Sequence, residues 1–152
     1  MLEIREDDLS DAEVQALLAL HLSSMREGSP PGLSFALDLS GLRAPDVTVW
    51  SVLRDGAVAG IGALKVLGDG GGEIKSMRTH PDHLRCGVAA ALLDHIVAAA
   101  QARGLRRLSL ETGSGPAFDP ALVLYRKRGF VAGGPFGDYA ASDFHRFFHL
   151  DL

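Results

Sequence analysis

Between Glu73 and Thr112 the chain runs through an alternating segment, a polar turn containing Pro81 and Gly87, an apolar helical stretch and a second short apolar segment. This strand–turn–helix–strand order narrows the fold more than any other feature. Two strands of one sheet joined through a helix pair in parallel, by a right-handed crossover. In "THPDHLRCGVAAALLDHI" and the residues after it, Val88, Leu92, Ile96 and Ala99 recur at helical spacing, and Leu93, Val97 and Ala100 widen the face. Gly104 ends the helix. "LRRLSLET" (Leu105 to Thr112) is then a strand parallel to "EIKSMRT" (Glu73 to Thr79). In the latter, strict alternation puts Ile74, Ser76 and Arg78 on one side and Glu73, Lys75, Met77 and Thr79 on the other.

The rest of the chain supplies antiparallel strands and further helices. "LEIRE" (Leu2 to Glu6) alternates like a short strand. Ser10 and Glu13 have capping-box spacing ahead of an amphipathic helix carrying Val14, Leu17, Leu18 and Leu22. Gly28, Pro30, Pro31 and Gly32 break that helix, and "LSFALDLSGLRAP" suggests a short second one. Two apolar runs flank Asp55-Gly56, a strong hairpin signal. A glycine-rich turn, Gly68 to Gly72, leads into the Glu73–Thr79 strand. A helix from about Pro120 to Arg128 and a closing strand, "HRFFHLDL", complete the order. The expected fold is a mixed α/β (α+β) domain over residues 1–152, with helices on both faces of one sheet.

Composition limits the functions open to such a domain. With 152 residues, 47% hydrophobic and 22% charged, the chain has the makeup of an ordinary soluble protein of one domain. A net charge of −4 provides no broad basic face, so a general nucleic-acid partner is not expected. No apolar run approaches the ~20 residues that span a bilayer, so no membrane partner is expected. The single cysteine, Cys86, cannot form an intrachain disulfide, and the acidic N-terminus lacks the layout of a secretion signal. A cytoplasmic setting fits both.

Gly87 at the mouth of the helix carries the first functional signal. The first turn of a helix has free N–H groups and the positive end of the dipole, and a glycine there lets a ligand approach the backbone. Arg85, Cys86, Gly87, Val88 and Ala89 supply that run of N–H groups, with Arg78, His80, His83 and Arg85 nearby. This arrangement suits phosphate; it equally describes a plain helix start beside a solvated turn. Neither G-x-x-x-x-G-K-[ST] nor G-x-G-x-x-G occurs, which argues against nucleotide hydrolysis and a Rossmann site.

"EIKSMRTHPDHLRCGVAAALL" resembles the acetyl-coenzyme A signature of the GNAT (Gcn5-related N-acetyltransferase) superfamily, and "ALVLYRKRGF" resembles its second signature. The two stand in the family's order, with the expected strand between them. "KSMRT…LSLETGS" further resembles a group of small bacterial acetyltransferases. Leu84 stands at the usual Q/R position and Arg85 where glycine is common, so Gly87 and Ala89 are the strict matches to the phosphate loop. Phe118 stands where many members carry an Asn, so a stacking or packing contact replaces a hydrogen bond to the cofactor arm.

The resemblance implies an acetyl-CoA-dependent N-acetyltransferase domain, with direct transfer to a primary amine on a small molecule or peptide and no metal. The pantetheine arm would pair with the backbone of Met77 and Thr79, and the pyrophosphate would rest on Arg85 through Ala89. Tyr125, in the second signature, would be the general acid and Glu73 the base; Glu111 or ordered water could take the latter role, and Glu73 could equally be a solvated charge. Met25 to Pro45 would cover the acceptor site, and family habit allows a homodimer. A non-catalytic CoA-binding or regulatory module is the alternative. A metal hydrolase built on His80 and His83 lacks a third ligand. His145 and His149 read as packing or surface residues.

Overall fold

A computed structural model describes residues Met1–Leu152. Its elements are β1 (Leu2–Glu6), α1 (Ala12–Glu27), α2 (Leu39–Leu42), β2 (Val47–Arg54), β3 (Ala57–Val66), β4 (Gly71–Thr79), α3 (Val88–Ala102), β5 (Arg107–Thr112), α4 (Asp119–Lys127), β6 (Val131–Gly133) and β7 (Arg146–Asp151), with a 3-10 turn at Pro81–His83. The strands form one seven-stranded sheet in the order β1-β2-β3-β4-β5-β7-β6. The mixed α/β architecture expected from the sequence is thus observed.

One sheet face packs on α3 and α4. Leu92, Leu93 and Ile96 of α3 meet Trp50, Val52, Leu64, Ile74 and Leu108 of the sheet. Burying each of these helix side chains contributes about 1.5–3 kcal/mol. The other face packs on α1 and α2, where Val14, Leu17, Leu18 and Leu42 cover Val49, Ile61 and Ala63. Asp11, not Ser10, caps α1: its side chain accepts from the N–H groups of Glu13 and Val14. Asp binds those N–H groups with a full negative charge at the positive end of the dipole, which outweighs the capping-box spacing. Of "LSFALDLSGLRAP", only Leu39–Leu42 is helical. The short strand β6, which pairs with β7, has no clear signal in its sequence, VAG.

The alternation expected along "EIKSMRT" is interrupted. Ile61 pairs with Arg78 and Ala63 with Lys75, so Ser76 and Met77 together stand opposite Gly62. This is a β-bulge, and Ser76 takes a φ of 59°. The extra residue moves every later side chain to the opposite face. Directly opposed residues share a face, so Glu73, Lys75 and Arg78 lie with Ile61 and Ala63 on the α1 side. Ile74 and Met77 pack on the α3 side, and Thr79 follows Gly60, whose face Val88 covers.

β4 and β5 are parallel, as the crossover requires, yet they pair only where Gly71–Glu73 meets Arg107–Ser109. Beyond that point β4 has no partner on its β5 side. The two strands part, and the gap between them positions the site.

Candidate active site

A cavity of about 630 Å³ fills the gap between β4 and β5. Its lining draws on both layers: Val88, Ala89 and Tyr125 from the α3 and α4 side, and His21, Met25 and Phe35 from the α1 side. The cavity therefore reaches through the sheet where the strands diverge.

The helix mouth opens onto it. Gly87 is the N-cap of α3, in the left-handed region at φ 78°, with no side-chain cap. The N–H groups of Val88, Ala89 and Ala90 precede the first intrahelical donor, Ala91, which bonds to the Gly87 carbonyl, so the helix offers them no partner. A Cβ built on Gly87 would find no atom within 4 Å, which leaves open space in front of these donors. Arg85, also exposed, holds φ 61° without being glycine. A non-glycine residue there costs roughly 1–2 kcal/mol. The edge of β4 from Met77 to Thr79 faces the same cavity. Uncapped donors, open space and an unpaired strand edge suit an elongated ligand with a phosphate at one end.

Of the residues singled out in the sequence, Glu73, Met77, Thr79, Arg85, Gly87, Val88, Ala89, Phe118 and Tyr125 all line the cavity. Cys86 does not. Its thiol turns back to the Leu84 carbonyl at 3.4 Å and packs against the α3-side core. Phe118 is buried edge-on against Phe144, a packing contact at the N-terminus of α4. His80 and His83 meet ring edge to ring face.

Tyr125 is buried, with its ring against Phe130 and its hydroxyl making no hydrogen bond to the protein. Burial pushes its phenol up to about 12, so it keeps its proton throughout the neutral range.

Glu73 is not a solvated charge: it is 4% exposed. Its Oε2 accepts from Lys75 Nζ at 3.1 Å and from the hydroxyl of Tyr139 at 2.5 Å. Lys75 also donates to the Tyr139 oxygen at 2.9 Å. Burial and the Glu73 carboxylate raise the Tyr139 phenol well above its ordinary range. Tyr139 escapes a reading of the sequence because it lies 66 residues from Glu73 in an irregular segment. Glu111 shares this end of the cavity. Burial raises its carboxyl, with His145 and Lys75 opposing the shift and Glu73 adding to it.

On the α1 side, Arg78 Nε donates to Nδ1 of the buried His21 at 3.0 Å. Burial, and then the Arg78 charge, lower His21 to about 4, so the ring is neutral. His145 and His149 are both buried packing residues. The His145 ring bonds to Ser142 and to the Leu33 carbonyl, tying the Leu33–Ala36 segment over the cavity; His149 bonds to Ser109 and to the Gly134 carbonyl.

Comparison with known proteins agrees with this geometry. The Acetyltransferase (GNAT) family pattern matches residues 14–130. N-acetyltransferase YedL of Escherichia coli (strain K12), itself uncharacterised, is 51% identical over 152 residues, covering 100% of this chain and 96% of its own. A solved structure from Klebsiella pneumoniae, described as an acyl-CoA N-acyltransferase, superposes with a TM-score of 0.80 at 27% identity, covering 100% of this chain and 98% of its own. A Bacillus subtilis acetyltransferase solved in complex with CoA has the same fold, with a TM-score of 0.74 at 17% identity and coverage of 100% and 99%.

Proposed function

The chain belongs to the acetyltransferase (GNAT) family and is an N-acetyltransferase; from that membership we propose that it moves the acetyl group of acetyl-CoA directly onto a primary amine held in the same cavity. The observation that carries this reading is the cavity itself, which joins an uncapped helix mouth on one face of the sheet to a carboxylate-lined chamber on the other. Acetyl-CoA supplies an activated thioester. The N–H groups of Val88 and Ala89, with Arg85 beside them, hold the pyrophosphate, and Met77 and Thr79 offer their backbone to the pantetheine amides.

Attack requires a free amine lone pair, so one proton must leave the acceptor ammonium. Glu73 and Glu111 take it, directly or through water. Glu111 is favoured as its resting place, because burial raises its carboxyl while Glu73 already accepts from Lys75 and Tyr139. Lys75 and Tyr139 fix the Glu73 carboxylate at the chamber wall. As the new N–C bond forms and the C–S bond breaks, charge collects on sulfur, and the Tyr125 hydroxyl donates to it. The desolvation that raises the phenol raises the proton affinity of a thiolate in the same place, which keeps this donation near balance. The overall products are an amide, a free thiol and one proton.

Titration calorimetry of the chain with acetyl-CoA, followed by thiol release in the presence of an amine panel, tests the proposal. Micromolar binding with amine-dependent thiol release is the expected result. Binding absent up to millimolar acetyl-CoA would overturn it.

A further inference from the structure

Arg78 is a cation without an anion. It is half-buried, it lines the cavity, and no carboxylate of the chain pairs with it. Its one hydrogen bond to the protein, from Nε to His21 Nδ1, goes to an uncharged ring. Since Nε–H donates, the His21 Nδ1 lone pair must be free, which fixes the tautomer with the proton on Nε2. His21 itself is 5% exposed and held by the packing of α1. The arrangement aims the guanidinium and leaves both terminal nitrogens without a protein partner.

The bulge at Ser76 decides which ligand this cation meets. It sends Arg78 to the α1 face, with Ile61, while Met77 and Thr79 keep the α3 face. The helix mouth that would hold the pyrophosphate lies on the α3 side, so Arg78 belongs to the chamber of the second substrate. The other charges on that face lie toward the opposite end. Glu73 is matched by Lys75, which leaves Glu111 as the unmatched acid. One unpaired cation and one unpaired acid thus face the same cavity, and Met25, Leu33, Phe35 and Phe144 supply its apolar wall.

Resting on the acetyl-transfer reading above, we propose that the acceptor is a free α-amino acid with an apolar side chain, its carboxylate bound on the guanidinium fork of Arg78 and its amine turned toward Glu73 and Glu111. A guanidinium matches a carboxylate with two parallel N–H···O bonds, which an amide or ester of the same amino acid cannot reproduce. The α-ammonium loses one proton to the carboxylate pair, the free amine bonds to the acetyl carbon, and as the C–S bond breaks a second nitrogen proton is given up while the thiolate is protonated. The products are an N-acetylamino acid, the thiol and one proton. His21 acts as a positioning residue.

The test compares L-phenylalanine, L-leucine and L-methionine with their amides, and with phenethylamine, at saturating acetyl-CoA. Free acids should exceed amides in kcat/KM by about 10- to 150-fold, the scale of one lost hydrogen bond to a charged group. Arg78→Gln should bring that ratio near one, and Arg78→Lys, which keeps charge but loses the fork, should restore part of it. Melting curves and acetyl-CoA titration confirm that both variants are folded, and the wild-type comparison stands without them. Amides used as well as acids, an unchanged ratio in Arg78→Gln, or acetyl-CoA binding without turnover of any free acid would each overturn the acceptor assignment alone. Absence of acetyl-CoA binding would overturn both proposals.

Discussion

The hydroxyl of Tyr139 donates to Oε2 of Glu73 across 66 residues of chain, and Lys75 donates to both. The Glu73 carboxylate is therefore oriented by a partner from the irregular segment before β7 as well as by its own strand. Tyr139→Phe keeps the ring and removes a bond to a charged acceptor, which costs about 1.5–3 kcal/mol. Urea denaturation should show that loss, with little change in acetyl-CoA affinity.

Glu73→Gln should lower acetylation most at neutral pH and less at high pH, where the acceptor amine is already free of its proton. A pH–rate profile from pH 6 to 10 checks this. A uniform loss across the profile would assign Glu73 to packing and orientation alone.

Glu111→Gln should separate activity from stability. The native carboxyl is raised above its unfolded value, so between the two values the folded state binds more protons than the unfolded one. Stability then falls as pH rises through that window, and the deficit persists above it. Gln cannot ionise. The variant should melt higher than wild type at pH 7 to 8, with the difference disappearing below the ordinary carboxylate range, while its kcat falls. Thermal melts at pH 3.5, 5.5 and 7.5 provide the measurement.

Tyr125→Phe removes the one proton its side chain can donate and keeps the contact with Phe130. A decrease in kcat of about 10²–10⁴-fold is expected when chemistry limits the rate. Melting temperature and acetyl-CoA affinity should move little. An unchanged kcat would make Tyr125 a core aromatic.

The helix mouth calls for a pair of variants. Gly87→Ala meets no protein atom but forces a Cβ into φ 78°, at roughly 1–2 kcal/mol, and narrows the approach to the α3 donors. It should weaken acetyl-CoA binding and lower stability together. Arg85→Gly keeps the left-handed turn available and deletes the side chain. Weakened binding in that variant would assign the Arg85 guanidinium to the pyrophosphate, and unchanged binding would leave the task to the backbone.

The sequence revealed the helix mouth because Gly87 and the apolar face of α3 are local patterns read along one stretch of chain. Tyr125 was legible for the same reason, lying inside a short signature. Tyr139, His21 and the isolation of Arg78 were not, because each depends on segments brought together from opposite ends of the fold. Glu73 was found as a candidate but could not be distinguished from a solvated charge: burial depends on what covers it, and Tyr139 lies far along the chain. The reversal along β4 was hidden too. "EIKSMRT" alternates as an unbroken strand would, and nothing in Ser76 announces its positive φ. Cys86 shows the converse limit, since a residue inside the signature can still turn its side chain into the core.

The inserted residue at Ser76 makes β4 a strand with two reading frames. Upstream of it, odd-numbered positions write to the chamber on the α1 side; downstream, even-numbered ones do. Substitutions at Glu73, Lys75 and Arg78 can therefore revise what the chamber accepts while the backbone of Met77 and Thr79 stays as it is. Deleting one residue at the bulge would merge the frames into one regular alternation and still leave Arg78 opposite Ile61 on the α1 side. Under the proposed roles, choice of acceptor is thus open to revision one letter at a time, while the strand edge offered to acetyl-CoA stays fixed.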